Sequence, residues 1–390
     1  MSGSAPPQAP SGRTALRVWA LQVAVLAVLA WGVVAIGQTT LENLDRLGVE
    51  SGFEFLGKRA GFDINQTLFS YSSDSPVYQA FLIALCNTVL LAVLSIALAT
   101  LMGLVVALCR ISRDWFLNAL GYGFIEVFRN IPALLQIFFW YYVVLRSLPS
   151  FEQSWSLGAS IHLNNRGLFL PGPEWNAGTA GWVLAAGLAL TAVLALYLRA
   201  VRRRTCLRPL RGSWAARTGF AAWLLVAVAA LGLAIDWQAP RLHAFGYDSD
   251  LVITPELGAL IMGLAVYNAS SVAEVIRAGF LAVPRGQWEA ARSLGLSRSH
   301  VLRHVILPQA MRVIVPPLTT CYLNIFKATS LGAAIGYPEI VSVMVGTTNN
   351  IVGRPVEIMF LTFAVYSLVS LLGIGLMSRL NRRHNRFMAA

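Results

Sequence analysis

Residues able to do chemistry are sparse in this chain, and their spacing argues against the making or breaking of bonds. A membrane-embedded enzyme needs acids, His or Cys gathered near one point. The one local group of that kind is His243, Asp248 and Asp250, which reads more simply as solvated side chains in a short loop. Gly52 to Lys58 has the G-x-x-x-x-G-K form of a phosphate loop, but Arg59 stands where a Ser or Thr must hold Mg²⁺. The segment also carries Phe53, Glu54 and Phe55, so the match is chance and the chain has no nucleotide site of its own. His300 and His304 share a helical face at i, i+4 but lack a nearby third ligand, so no metal site is expected. Cys86, Cys109, Cys206 and Cys321 show no C-x-x-C spacing. What remains is a few polar residues inside apolar runs: Tyr267 and Asn268, Glu274 with Arg277, Glu126 with Arg129, and Asn324 and Lys327 followed by Thr329 and Ser330. At mid-bilayer an ionisable side chain costs about 2.5 to 3.5 kcal/mol on insertion scales, so each needs a partner or a wet cavity.

The runs that carry these residues set the fold class. Of 390 residues, 56% are hydrophobic and 12% charged, about half the charged share of a soluble domain. The 28 Arg and two Lys outnumber 18 acids, but they fall between apolar runs and form no phosphate-tracking stripe, so no nucleic acid partner is expected. Eight runs are long enough for a spanning helix of about 20 residues: 18 to 36, 80 to 108, 118 to 148, 179 to 198, 218 to 237, 254 to 276, 309 to 333 and 357 to 378. The third holds Glu126, Arg129 and Pro132, so its first part reads as an interfacial or kinked segment. The expectation is an all-α polytopic membrane protein.

Eight spans leave both termini on one side. Connections 1 to 17, 109 to 117, 199 to 217, 277 to 308 and 379 to 390 carry 20 Arg against Asp114 and Glu289. Those at 37 to 79, 149 to 178, 236 to 253 and 334 to 357 carry six cations against 13 acids. The positive-inside rule makes the first set cytoplasmic. The Pro-, Ser- and Gly-rich opening reads as a disordered lead, and the first apolar run as an uncleaved anchor rather than a signal peptide.

The cytoplasmic connection VPRGQWEAARSLGLSRSHVLRHVILPQA, residues 283 to 310, is organised. Pro284 suits a helix start, Gly295 with Leu296 a left-handed cap, and Ser297 the cap of a second helix running to Leu307, which Pro308 interrupts before the seventh span. Trp288, Ala291 and Leu294 or Gly295 line one side of the first helix. An interfacial hairpin on lipid and a helix laid in a partner's groove both fit this pattern, and the lone acid Glu289 among so many Arg favours the protein partner.

These residues resemble a family. Glu289-Ala290-Ala291, three residues, Gly295, nine residues, Val305, one residue, then Leu307-Pro308 matches the EAA signature of permease subunits of bacterial ABC importers, with Val305 for the more usual Ile. The stretches YNASSVAEVIRAGFLAVPRGQWEAA, VFRNIPALLQIFFWYY and FKATSLGAAIGYPEI resemble its polar amino-acid branch, which includes histidine, glutamine and arginine permeases. The added N-terminal span and the two-span insertion resemble the larger permease of general, broad-range L-amino acid ABC transporters. The implied fold is that of a type I importer permease with one extra N-terminal helix and a two-helix insertion. The implied parts are a disordered lead 1 to 17, an extra helix and outer loop 18 to 79, permease segments 80 to 148 and 254 to 380 around an insertion 149 to 253, and a basic tail 381 to 390.

The resemblance also implies a division of labour. The chain would sit in the bacterial inner membrane with a second homologous permease, among membrane lipid, with both termini cytoplasmic. A separate ATPase dimer would hold ATP and Mg, docking through Glu289, Ala290, Ala291, Gly295, Leu307 and Pro308. A periplasmic binding protein would deliver the amino acid, and this chain would be non-catalytic and hold no cofactor. Tyr267, Asn268, Glu274, Asn324, Lys327, Thr329, Ser330 and Arg129 would line the pathway, a zwitterion requiring both a cation and hydrogen-bonding groups. Lys327 reads equally as a side chain reaching for headgroups, and Glu274 with Arg277 as a simple pair. A permease for a narrow acidic and amide set is the alternative. An ion-coupled secondary transporter would carry its carboxylates at mid-membrane and would have no use for the capped helix pair.

Overall fold

A computed structural model describes residues 12–46, 52–158, 160–175, 191, 235–243, 246–249 and 251–386. The chain divides into two compact units, residues 1–87 with 338–371, and residues 88–337 with 372–390.

The first unit gathers the loop 52–76 around a short helical segment, Glu54–Gly57. Helix α1 (Gly12–Arg46) carries the apolar stretch Trp19–Thr39, whose side chains are largely exposed. It begins at Gly12, so residues 12–17 of the expected disordered lead are its first turns, and 1–11 lie outside the described residues. The Gly52 to Lys58 stretch, rather than cradling an anion, buries Phe55 completely in a core with Val77, Ala84, Ile340, Met344 and Ile358. The Gly52 N–H donates to Glu357 Oε1 at 2.7 Å. Buried Asn87 donates through Nδ2 to the carbonyls of Gln66 (2.9 Å) and Pro338 (3.0 Å), which ties the loop to the stretch at 338. Fully buried Glu339 accepts from the N–H groups of Val341 (2.8 Å) and Ser342 (2.7 Å). Those donors begin a wide helical turn, Val341–Thr348, in a stretch expected to be a plain outer connection.

The second unit is built on a central helix. Helix α2 spans Val77–Ile111 and belongs to this unit from Thr88; α3 is Trp115–Asn130, α4 Ala133–Phe138 and α5 Pro255–Leu281. Thr254 caps α5 by accepting the Leu257 N–H, and Pro255 supplies a preset first turn. Two-thirds of the apolar window of α5 is buried. Without water to drive association, such helices gain from close approach of small residues. A Cβ on Gly103 would stand 2.6 Å from the Val272 side chain, and one on Gly279 would run into Ile314.

Helices α3 and α4 bend by 102°, which confirms the kink expected in the third run. Pro132 has no N–H to give, and the carbonyls of Phe128 and Ile131 are instead satisfied by Gln136 Nε2 at 2.8 and 3.0 Å. Among the described residues four helices are long and apolar enough to cross a membrane, or five if the bent pair is one span: Trp19–Thr39, Val77–Ile111, Pro255–Leu281 and Pro355–Arg379 are the straight ones. The seventh expected span is a 22-residue helix, less apolar than these, with Pro316 and Pro317 inside. The expected span 179 to 198 lies outside the described residues save Thr191, and so does 218 to 237 except its last three residues. Those belong to a strand, Ile235–Gln238.

The insertion thus contains strands that an all-helical expectation omits. Four form an antiparallel sheet in the order β1 (Trp155–Leu157), β2 (Ile161–Asn164), β3 (Gly167–Leu170) and β8 (Leu251–Ile253); β4 (Gly172–Trp175) pairs with β5 (Ile235–Gln238), and β6 (Arg241–His243) with β7 (Gly246–Asp248). His162 stacks on Tyr247 at 4.2 Å, and His243 with Asp248 is an exposed hairpin pair.

Overpacking a tight helix contact costs about 1 to 3 kcal/mol. Gly279→Val should therefore lower the apparent Tm of the purified protein, followed by intrinsic fluorescence during heating, whereas Val at exposed Gly286 should not.

Candidate functional site

The segment after α5 folds as helix, bend and helix. Pro284 precedes α6 (Arg285–Ser293), whose Ala291 is buried and whose Trp288 packs on the same cluster as Val283, Val301, Ile306 and Ala310. Leu294, with Gly295 one of the two alternatives for the last position of the side carrying Trp288 and Ala291, is 79% exposed. The chain then turns at Gly295, φ +72°, where its N–H donates to the Arg292 carbonyl at 2.9 Å. A left-handed backbone costs a residue with a Cβ roughly 1 to 2 kcal/mol, so glycine is required there by geometry. Ser297 accepts the His300 N–H and caps α7 (Arg298–Val301).

Beyond α7 the structure differs from the expected break at Pro308. A wide turn, Leu302–Ile306, carries the helix without interruption into α8 (Leu307–Ala328), with Pro308 in its first turn. Such a turn shifts the hydrogen-bond register and so accommodates a residue that lacks an N–H. The two helical arms are thereby mechanically joined: α6 by its apolar face, α7 by direct continuity with α8. Gln309 Nε2 adds a link to Gln287 Oε1 at 3.2 Å. Glu289 and Ala290 remain exposed, and Glu289 makes no ion pair among the described residues. His300 and His304 stack 5.4 Å apart, and no group of three or more metal-ligating side chains occurs among the described residues.

The polar residues inside the spans divide into closed and open sets. Glu274 and Arg277 form the expected pair, with two guanidinium nitrogens on the carboxylate at 2.8 to 3.2 Å. Asn268 is buried and donates to the Leu264 carbonyl at 2.8 Å; Thr329 is buried and donates to Phe326 at 2.7 Å. Ser330 Oγ is turned onto the Lys327 carbonyl at 2.9 Å. Tyr267 is half-buried, one residue from Asn268. By contrast Asn324 and Lys327 are exposed, three residues apart on one stripe of α8. Ile325 between them shares a core cluster with Ala265 and Ala99, which brings this part of α8 beside α5 and α2. Glu126 and Arg129 are exposed at the end of α3 and do not pair with each other.

Three polar groups that position these elements were not singled out from sequence. Gln136 fills the break between α3 and α4, Glu256 accepts from the Tyr141 hydroxyl at 2.9 Å, and Arg110 with Asn118 forms a reciprocal clasp between α2 and α3, at 2.5 and 2.7 Å. The available signal was a polar residue inside or at the edge of an apolar run, close to a Pro, a helix start or a chain reversal.

A profile of the family described as binding-protein-dependent transport system inner membrane component matches residues 99–386. The chain is 42% identical to the protein YhdX of Escherichia coli (strain K12) over 377 residues, 94% of each chain. It is 39% identical to the general L-amino acid transport system permease protein AapQ of Rhizobium johnstonii over 352 residues, 90% of this chain and 88% of that one. It is 32% identical to the glutamate/glutamine/aspartate/asparagine transport system permease protein BztB of Rhodobacter capsulatus over 402 aligned positions, 95% of this chain and 94% of that one.

Because proteolysis follows the population of the opened form, Gly295→Val should speed tryptic cleavage at Arg292 and Arg298 in membrane vesicles by roughly five- to thirtyfold, the range set by the left-handed backbone penalty. Equal cleavage of both proteins would show that the bend does not need glycine.

Proposed function

The chain belongs to the family of binding-protein-dependent transport system inner membrane components, and from that premise we propose that it is the permease subunit of an ABC importer moving L-amino acids, over a broad range, from periplasm to cytoplasm. One observation carries the coupling part of this reading: the helix pair 285–301 is rooted in the spans through Ala291, Trp288, Val301 and Ile306, yet leaves Glu289 and Ala290 exposed. A separate ATPase dimer, binding ATP and Mg, docks on that exposed stripe. Closure of the ATPase pair moves α6 and α7 as one piece, Gly295 holds their angle, and the continuous helix through Leu307 and Pro308 carries the motion into α8.

A second, homologous permease completes the pathway, and a periplasmic binding protein delivers the substrate to it. The chain lies in the bacterial inner membrane with both termini cytoplasmic, the orientation favoured by the Arg-rich connections. The added N-terminal segment, the permease segments 80 to 148 and 254 to 380 and the insertion 149 to 253 keep the roles that the resemblance gives them. Breadth of substrate is supported by the similarity to the general L-amino acid permease across most of both chains. In the pathway Lys327 meets the substrate carboxylate and Asn324 hydrogen-bonds beside it, both being open on one stripe. Tyr267, Asn268, Glu274, Arg129, Thr329 and Ser330 shape the surrounding lining, with Asn268, Glu274, Thr329 and Ser330 already satisfied internally.

The test is uptake of labelled amino acids in cells lacking the gene and in complemented cells, with acidic, neutral and basic L-amino acids as competitors. All three classes should compete, and Lys327→Met should cut uptake about tenfold or more, the scale of a lost charge-assisted hydrogen bond. Competition by glutamate, glutamine, aspartate and asparagine alone would replace breadth with a narrow acidic and amide range. Undiminished uptake by the Met variant would leave Lys327 as a side chain reaching for headgroups.

A further inference from the structure

Where α2 and α5 end on the Arg-rich side, the second unit contains a two-part cleft whose edge includes Glu289 of the proposed docking stripe. Its inner part, about 490 Å³, is walled by Leu108 and Ile111 of α2, Phe280 and Leu281 of α5, and Leu302. It runs into an outer part of about 730 Å³, the two sharing Ile111, Arg285, Trp288 and Arg298. Arg113 and Arg292 enter the outer part, as do the acids Asp114 and Glu289. Asp114 is engaged in capping α3 through the Leu117 N–H at 2.9 Å. Beside it lies a recess of about 340 Å³ lined by Arg113, Arg292, Leu296 and Arg298, with no acid in its wall. The three arginines come from three elements: the α2–α3 loop, the end of α6 and the start of α7.

The cleft differs from a docking face for a water-soluble subunit in two ways. Its walls pass from largely apolar, with Arg285 and Arg298 at the shared edge, to strongly cationic, and the apolar part opens at the ends of two spanning helices, where Leu108 and Leu281 remain largely exposed. On α6 it uses the stripe Arg285, Trp288, Glu289 and Arg292, while Gly286 and Ala290 lie off that stripe and stay exposed. An acidic side chain of a protein partner would meet the arginines but leave the apolar recess empty. A molecule with a hydrocarbon chain and a phosphate fills both.

We propose that this cleft binds one anionic phospholipid of the cytoplasmic leaflet, with an acyl chain against Leu108, Ile111 and Leu281 and the phosphate held by Arg113, Arg292 and Arg298. Guanidinium groups suit a phosphate because their N–H fork matches paired oxygens. A lipid seated there neutralises three cations that otherwise repel one another and bridges the α2–α3 loop to both arms of the bend, which fixes the stance of the coupling helices. The inference goes beyond the transport reading and rests on it only for the side of the membrane.

The whole transporter, purified in mild detergent and exchanged into phosphatidylcholine vesicles with or without phosphatidylglycerol, is the material for the test, with retained lipid measured by native mass spectrometry. The wild type should keep phosphatidylglycerol. R113Q/R298Q should bind it roughly thirtyfold more weakly, which is about 1 kcal/mol per basic residue lost near a charged lipid. Leu281→Asn should weaken it from the apolar end, and this variant reads the site even if the double variant does not assemble. Sodium phosphate alone should not displace the lipid. Equal retention by all three proteins overturns the proposal, and so does displacement by sodium phosphate, which would mark a free-phosphate site. Unchanged lipid with the ATPase subunit lost from R113Q/R298Q would overturn it in favour of a protein contact. Lipid retention is read without ATP turnover, so its failure and that of the transport reading are separable.

Discussion

The Arg-rich end of this protein depends on one apolar cluster. Val272 and Ile276 of α5, Ala291 of α6, Val301 of α7 and Ile306, Ala310 and Ile314 around the start of α8 share it. The cluster joins the helix pair 285–301 to α5 and α8, so a force on α6 cannot be absorbed by a slack loop. Its packing leaves no room at Gly279, while Glu289 stays exposed. A short polar helix such as α6 has little stability in isolation. Here its buried Ala291 and partly buried Trp288 supply what propensity does not.

A second constraint is the absence of water at membrane depth. Every carbonyl released by a bend needs another donor. The 102° turn between α3 and α4 follows Pro132 and is made affordable by Gln136, and the wide turn before α8 absorbs Pro308. Asn268, Thr329 and Thr348 likewise return their hydrogen bonds to their own helices. Polarity inside the spans is therefore not by itself a sign of substrate contact, and the open pair Asn324 and Lys327 is the more informative feature.

How much of this was legible depended on the range of the interaction. The bend at Gly295, the Ser297 cap and the Glu274–Arg277 pair are local, set by residues within a few positions, and each stood in the sequence. The kink at Pro132 was local too, although its angle and its Gln136 support were not. The strands at 155–170 and 251–253 are joined across some 80 residues, and their three- and four-residue lengths give too little alternation to stand out beside apolar runs. Glu357 binding the Gly52 backbone joins positions 305 apart, for which no spacing rule exists. The continuous helix through Pro308 was missed because proline in a first turn and proline as a terminator look alike until the preceding turn is seen.

The central claim is that this permease acts only through a separate ATPase seated on the exposed stripe around Glu289. The most direct measurement is to purify the transporter through a tag on this chain and assay ATP hydrolysis and ATP-driven uptake in proteoliposomes. The account predicts that an ATPase subunit copurifies and that Glu289→Lys, still inserted in the membrane, loses both the subunit and the uptake. Uptake driven by an ion gradient without ATP, or full ATP-driven uptake by Glu289→Lys, would contradict it.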